Sequence, residues 1–100
     1  MVAVGLSEAK KILEGFTTKR GKVTNAIQSD KRVDAVFLSQ TDSRDLGKAL
    51  HLRYEGGDLV VERVDLIDNR TGKVSLITPS WEKDFLLSRD YKEMRRALGL

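Results

Sequence analysis

The first periodic segment of the chain has the spacing of a helix with one buried face. Its apolar positions are Ala9, Ile12, Leu13 and Phe16. Because residues three and four apart share a helix face, this spacing predicts a helix over about residues 8 to 19. Ser7 is a suitable N-cap, and Gly21 is a suitable stop beyond the C-terminal end.

The next segment, residues 22 to 32, is less regular. Val23, Ala26 and Ile27 have helical spacing, whereas the Thr, Asn and Ser residues of the segment lower its helix propensity. We expect a second short helix here. The following run, Val33 to Leu38, is apolar apart from one aspartate and predicts the first strand of a sheet.

Apolar and polar residues alternate from Lys48 onward. The apolar positions are Leu50, Leu52 and Tyr54, and the polar ones are His51, Arg53 and Glu55. Gly56-Gly57 predicts a two-residue turn that pairs Tyr54 with Leu59. The alternation then changes parity, which predicts a β-bulge near residues 62 and 63. The alternative is a central strand that is covered on both faces.

Residues 68 to 73, with the sequence Asp-Asn-Arg-Thr-Gly-Lys, predict a β-hairpin loop. They lie between two runs rich in Val, Leu and Ile, residues 59 to 67 and 74 to 78. Asp68 can accept hydrogen bonds from nearby backbone N–H groups, and Gly72 can adopt the positive φ angle that closes such a loop. The sequence therefore predicts an antiparallel sheet.

Thr78-Pro79 fits the start of a final helix, because threonine is a good N-cap and proline is favoured at the first helical position. The apolar positions along it are Trp81, Phe85, Leu87, Tyr91, Met94 and Leu98. Ser88 either caps a second helix or lies within one bent helix, and Gly99 ends the segment. We predict a single α+β domain over residues 1 to 100, with two N-terminal helices, a four-stranded antiparallel β-meander and a C-terminal helix packed on one sheet face.

The composition excludes several classes of protein. The 100 residues include no cysteine, which excludes disulfide scaffolds and thiolate metal sites and favours a reducing compartment. The longest apolar runs have three or four residues, far fewer than the roughly 20 that cross a bilayer. The first six residues also lack the features of a signal peptide. We expect a cytoplasmic protein with no cofactor and no membrane partner.

The net charge of +3 is unevenly distributed along the chain. Residues 1 to 32 contain seven basic and three acidic residues, residues 33 to 80 six and eight, and residues 81 to 100 five and four. Basic helices beside an acidic sheet favour a polyanionic partner, because exposed cations can contact phosphates. The expected nucleic-acid-binding residues are Lys10, Lys11, Lys19, Arg20, Lys22, Arg89, Lys92, Arg95 and Arg96.

His51, Arg53 and Glu62 are the candidate catalytic residues. His51 is the only histidine, and in the expected register it faces Glu62 across the strands. Such groups can move protons to and from RNA oxygens while an arginine stabilises the phosphorane charge, which is the chemistry of a metal-independent ribonuclease. The alternative is an exposed histidine paired with a glutamate. No metal site is predicted, because the carboxylates of residues 58 to 68 lack a metal-ligand spacing.

Two segments resemble known families. Residues Lys48 to Leu100, a meander followed by a basic helix, resemble the small ribosome-dependent ribonuclease toxins of the RelE type, which implies RNA cleavage. The loop of residues 68 to 73 followed by a helix resembles the three-stranded DNA-binding domains of phage-type integrases, which implies DNA binding. Both families use basic residues on the sheet, and the acidic sheet of this chain departs from that pattern.

We therefore expect a small non-enzymatic regulatory module that binds nucleic acid through basic helix surfaces. The first alternative is a protein-interaction or inhibitor module that uses the exposed sheet face or an edge such as Lys48 to Tyr54. The second alternative is a RelE-like ribonuclease that uses His51, Arg53 and Glu62.

Overall fold

The chain forms an antiparallel sheet of five strands, with one helix before the sheet and two after it. The computed structural model describes residues 3 to 41, 43 to 76 and 79 to 100, and only the backbone of residues 76 and 79 to 81. The strands follow the order β1-β2-β3-β4-β5, so the predicted α+β class and antiparallel meander are confirmed, whereas the predicted number of four strands is wrong because residues 21 to 28 add a strand. The elements are α1 (Leu6–Glu14), β1 (Gly21–Gln28), β2 (Arg32–Gln40), β3 (Leu46–Glu55), β4 (Asp58–Asp68), β5 (Val74–Leu76), α2 (Pro79–Leu86) and α3 (Arg89–Ala97).

The predicted helix over residues 22 to 32 is wrong, because most of this segment forms β1. The register between β1 and β2 shifts between Val23 and Asn25, so Thr24 is an extra residue in a β-bulge. The bulge places Val23 and Ala26 on the same sheet face although they are three residues apart. Val23 is buried, and Ala26 packs against the core. A bulged strand therefore has the three-residue spacing that we read as helical.

α1 is also shorter than predicted, because it ends at Glu14 and not near residue 19. Beyond it, Thr17 forms an antiparallel bridge with Lys22, so pairing of extended backbone begins where the helix was expected to continue. Gly21, the expected helix stop, is the first residue of β1.

The N-terminal end of α1 differs from the prediction as well. Gly5 is the N-cap, whereas Ser7 lies within the helix and accepts a hydrogen bond from the Gln28 side chain at 3.3 Å. Ala9 and Leu13 are fully buried, so the predicted apolar face is confirmed.

The hairpin of β3 and β4 matches the prediction in its turn, its register and its bulge. Gly56 and Gly57 form the turn with φ angles of 60° and 75°. Tyr54 lies opposite Leu59. In the register of the two strands, Glu62 lies opposite no residue of β3. It is the extra residue of the bulge that the change of parity predicted.

The predicted hairpin loop over residues 68 to 73 is confirmed. The backbone N–H of Gly72 donates to the Asp68 carbonyl at 2.7 Å, and Gly72 has a φ angle of 75°. The Asp68 side chain accepts a hydrogen bond from the backbone N–H of Arg70 at 2.9 Å. Ile77 and Thr78, which include the predicted N-cap of the next helix, lie outside the described residues.

The prediction of one C-terminal helix is wrong, because α2 and α3 are separate helices. Between them, the Ser88 hydroxyl donates to the Phe85 carbonyl at 2.6 Å and accepts from the backbone N–H of Tyr91 at 3.3 Å. One side chain thus contacts the end of α2 and caps α3, which is one of the two roles that the sequence allowed for it.

The hydrophobic core lies between one face of the sheet and the helices. The Phe37 ring centroid of β2 is 6.1 Å from that of Phe85 in α2, and Phe85 meets Tyr91 of α3 edge-on at 5.4 Å. The Tyr91 hydroxyl donates to the Leu59 carbonyl at 2.7 Å and ties α3 to β4. Removal of these apolar side chains from water is the main favourable contribution to folding.

α1 and α3 cross the sheet in opposite directions. Before α1, the backbone N–H of Val4 donates to the carbonyl of Leu98, just after α3, at 3.1 Å. At the other end of both helices, the Thr18 hydroxyl donates to the Asp90 carboxylate at 3.2 Å. The opposite face of the sheet, which we name the open face, is not covered by any of the described helices. None of these helices is long and apolar enough to span a membrane.

Candidate functional site

The open face of the sheet carries a network of paired charges. Arg53 Nη1 donates to Glu62 at 2.9 Å, and Arg53 Nε lies 3.2 Å from Glu55 without hydrogen-bond geometry. Arg32 pairs with Asp34 at 3.1 Å. Both arginines have carboxylate partners, so opposite charges in this region largely offset each other.

His51 also lies on the open face, where its partner is an aspartate. The His51 Nε2 and Asp65 Oδ2 atoms are 2.9 Å apart, and Arg63 Nε is 3.4 Å from the same oxygen. Only 9% of Asp65 is exposed. The bulge places Arg63 opposite His51, so the expectation that His51 faces Glu62 is wrong. Of the three candidate catalytic residues, the structure brings Arg53 and Glu62 into contact and bonds His51 to a different carboxylate.

Residues 17 to 22, which we name the basic turn, connect α1 to β1 and include the first two residues of β1. The Thr18 hydroxyl oxygen accepts hydrogen bonds from the backbone N–H groups of Arg20 and Gly21, both at 3.2 Å. Gly21 is required by close packing, because a Cβ atom there would lie 2.1 Å from the Leu38 carbonyl oxygen. The turn exposes three cations, Lys19, Arg20 and Lys22.

A cleft of about 420 Å³ lies between the basic turn and the ends of the central strands, and we name it the strand cleft. The three cations of the turn line it, and Lys48 of β3 is also among its lining residues. No acidic side chain is among the described residues that line it. The strand cleft therefore has the charge of an anion-binding site.

A second cleft of about 450 Å³, which we name the helix cleft, lies between the basic turn and the start of α3. Lys19 and Arg20 line both clefts, and Arg89 joins them in the helix cleft. Asp90 and Glu93 also line the helix cleft, so its charge is mixed. The two clefts place cations from distant parts of the sequence around one turn.

The nine predicted nucleic-acid-binding residues fall into two groups. Lys10 is paired with Glu14 at 3.1 Å, and Arg95 is paired with Asp58 at 3.2 Å. A hydrogen bond to the Tyr91 hydroxyl, together with this ion pair, raises the pKa of Arg95 above its ordinary value. The other seven, which are exposed and make no ion pair with a described residue, are Lys11, Lys19, Arg20, Lys22, Arg89, Lys92 and Arg96.

Four of these unpaired cations border the two clefts, and they are Lys19, Arg20, Lys22 and Arg89. The basic turn lies where the sequence predicts the end of a helix over residues 8 to 19. Lys48 is not among the predicted binding residues, because it lies at the start of a predicted strand. The adjacent threonines at positions 17 and 18 are the signal that could have revealed the turn, because threonine favours extended and turn conformations over helix.

Comparisons of this chain with models of protein families, with curated proteins and with solved structures found no match. Within the part of the chain that the structure describes, no group of three or more His, Asp or Glu side chains is placed to hold a metal ion. The arrangement of cations around the basic turn is therefore the feature from which a function can be argued.

Proposed function

We propose that this domain binds nucleic acid without cleaving it, through contacts between phosphate groups and the cations of the basic turn and Arg89. The observation that carries this proposal is that Lys19, Arg20, Lys22 and Arg89 cluster around two adjoining clefts and form no ion pair with a described residue. A phosphate can contact such cations without first displacing an internal carboxylate.

The expected mode of binding is recognition of the phosphate backbone. None of the described residues that line the clefts is aromatic, so base stacking is not part of the proposed interface. Contacts to phosphates alone carry no sequence information, and their strength depends on salt because bound counterions are released. We therefore expect binding that has little sequence preference and weakens steeply as salt rises.

Fluorescence-anisotropy titrations of labelled duplex DNA, single-stranded DNA and RNA, at about 50 and 200 mM salt, test the proposal. The test variant replaces Lys19, Arg20, Lys22 and Arg89 by alanine. If all four contact phosphates of a duplex, the slope of log K against log salt should fall in magnitude by about 3 to 4.

A matched control separates the site from the total charge. It replaces four exposed cations outside both clefts by alanine, namely Lys31, Arg44, Lys73 and Lys83. This variant loses the same charge and should keep most of the binding. Equal losses of affinity in both variants would show that binding depends on net charge and not on the two clefts. Absence of binding at low salt would overturn the proposal.

A protein-interaction module is the second candidate function, and one observation favours it. β1 is an edge strand, and its Ile27 side chain is 57% exposed. The edge expected at Lys48 to Tyr54 is wrong, because β3 is the central strand and pairs on both sides. A charge on the edge strand, Ile27→Lys, should weaken capture of a protein partner and leave nucleic-acid binding unchanged.

The ribonuclease alternative has its own test in the same titrations. RNA incubated with the protein should remain intact under the proposed function. Cleavage that is lost in His51→Ala would favour the enzyme, because His51 is bonded to the Asp65 carboxylate and is not among the cleft residues.

A further inference from the structure

We propose that the strand cleft binds the terminal phosphate of a nucleic-acid strand. This inference rests on the proposed function and specifies which part of the nucleic acid the cleft contacts. A phosphomonoester carries about 1.5 to 2 negative charges near neutral pH and has three acceptor oxygens, whereas each internal phosphodiester carries one charge. A site that concentrates cations in a small volume therefore favours a strand end over the middle of a strand.

The strand cleft concentrates cations in this way. Lys19, Arg20 and Lys22 line it, and no acid is among the described lining residues. The helix cleft has a similar volume but includes Asp90 and Glu93, which oppose a second negative charge on the ligand. The difference in charge selects the strand cleft as the site of the more highly charged group.

Gly47 keeps part of the strand cleft open. It is the only glycine in the interior of β3, and a Cβ atom there would lie 3.6 Å from the Ser39 carbonyl oxygen and 3.7 Å from Asn69 Oδ1. Asn69 is fixed beside it, because its backbone N–H donates to the Asp45 carbonyl at 2.8 Å. A side chain at position 47 would therefore enter the cleft without a severe clash with the sheet.

The remaining lining groups suit a sugar and a phosphate. Thr17, Ser39 and Gln40 can donate hydrogen bonds, while Leu38 and Ile67 provide aliphatic surface. The volume of about 420 Å³ is in the range of small-molecule sites and is far too small for a double helix. The cleft thus fits the last nucleotide of a strand.

The test compares single-stranded oligonucleotides of one sequence that end in a 5′-phosphate, a 3′-phosphate or hydroxyl groups only, together with a circular form that has no end. One end phosphate should tighten binding by about tenfold, as expected for charge-assisted hydrogen bonds to one additional group. AMP and pyrophosphate serve as competitors, so that a free phosphate source can be distinguished from a strand end.

Gly47→Val is the variant that fills the cleft, and Asn25→Val, an exposed strand position outside it, is the control. Gly47→Val should abolish the preference for a phosphorylated end and keep the salt-dependent binding, whereas the control should keep both. If Gly47→Val does not fold by circular dichroism, Gly47→Ala replaces it, because its Cβ makes only ordinary contacts.

Three outcomes would overturn the inference. Equal affinity for the linear and the circular oligonucleotides would show that the protein does not contact the strand end. The proposed function would not be affected by this result. Competition by AMP as strong as that by the phosphorylated oligonucleotide would assign the cleft to a free nucleotide. Absence of binding by every oligonucleotide at low salt would remove the proposed function itself.

Discussion

The open face and the basic turn are both rich in charge, but they use it differently. On the open face, Arg53 is bonded to Glu62, and His51 shares Asp65 with an arginine. In the basic turn, Lys19 and Arg20 are exposed and have no acidic partner among the described residues. Charges that face one another across paired strands stabilise the sheet locally, while charges on a turn remain available to an outside anion. Local pairing of charges, and not net charge, is what distinguishes these two surfaces.

The largest effect on stability should come from Asp65→Ala in the paired region. The carboxylate is mostly buried, is hydrogen-bonded to His51 and forms an ion pair with Arg63, so its removal leaves two polar groups without this partner. We expect a loss of about 2 kcal/mol in the free energy of unfolding, measured with urea. Asp65→Asn keeps one acceptor oxygen and should lose less. If Asp65→Ala leaves the free energy of unfolding unchanged, the open-face network does not support the fold.

Arg53→Met should have a smaller effect. Its partners Glu55 and Glu62 are partly exposed, and ion pairs in contact with water contribute little. We expect a loss of about 0.5 to 1 kcal/mol in urea unfolding, because methionine keeps the aliphatic packing. A loss as large as that of Asp65→Ala would place the centre of the network at Arg53 instead.

Asp68 should contribute still less to stability, and its contribution can be followed as a function of pH. The backbone N–H of Arg70, followed by its side chain, lowers the pKa of Asp68 below the ordinary value. The stabilisation is therefore fully present above the unfolded pKa of about 3.9 and is lost as pH falls through the lower folded pKa. The difference in melting temperature between the native chain and Asp68→Asn should be constant above about pH 5 and shrink below pH 4. A constant difference down to pH 2 would contradict the shift.

The basic turn should give the smallest effect on stability. Replacement of Lys19, Arg20 and Lys22 by alanine removes no ion pair with a described residue, so the free energy of unfolding should change by no more than about 0.5 kcal/mol. Nucleic-acid binding should fall sharply in the same variant. If the free energy of unfolding instead falls as much as in Asp65→Ala, the charges of the turn stabilise the fold. The turn and the open face would then not differ in this respect.

The sheet from β3 to β5 could be predicted in detail because its local signals agree. Gly56-Gly57 supplies the positive φ angles of the turn, and the change of parity beyond it reveals the bulge at Glu62. The loop of residues 68 to 73 is similar, because Asp68 and Gly72 form the bonds expected of their residue types. Short-range backbone chemistry determines both hairpins, so sequence reasoning is sufficient there.

The first half of the fold and the candidate site depend on longer-range pairing. The bulge at Thr24 is visible only once β2 lies beside β1, and without it Val23 and Ala26 have helical spacing. The clefts require the basic turn to meet Lys48 and Arg89, which are distant in sequence. Side-chain identity identified most of the cations as candidates but could not show which of them lie together.

Gly21 gives the fold an evolutionary marker. Since the Leu38 carbonyl occupies the space of any side chain at this position, mutation here would separate the first two strands, and lineages that keep the architecture should keep the glycine. The neighbouring Lys19 and Lys22 are under no such constraint from packing. Descendants that retain the glycine and lose the lysines would keep the scaffold without the cations of the basic turn.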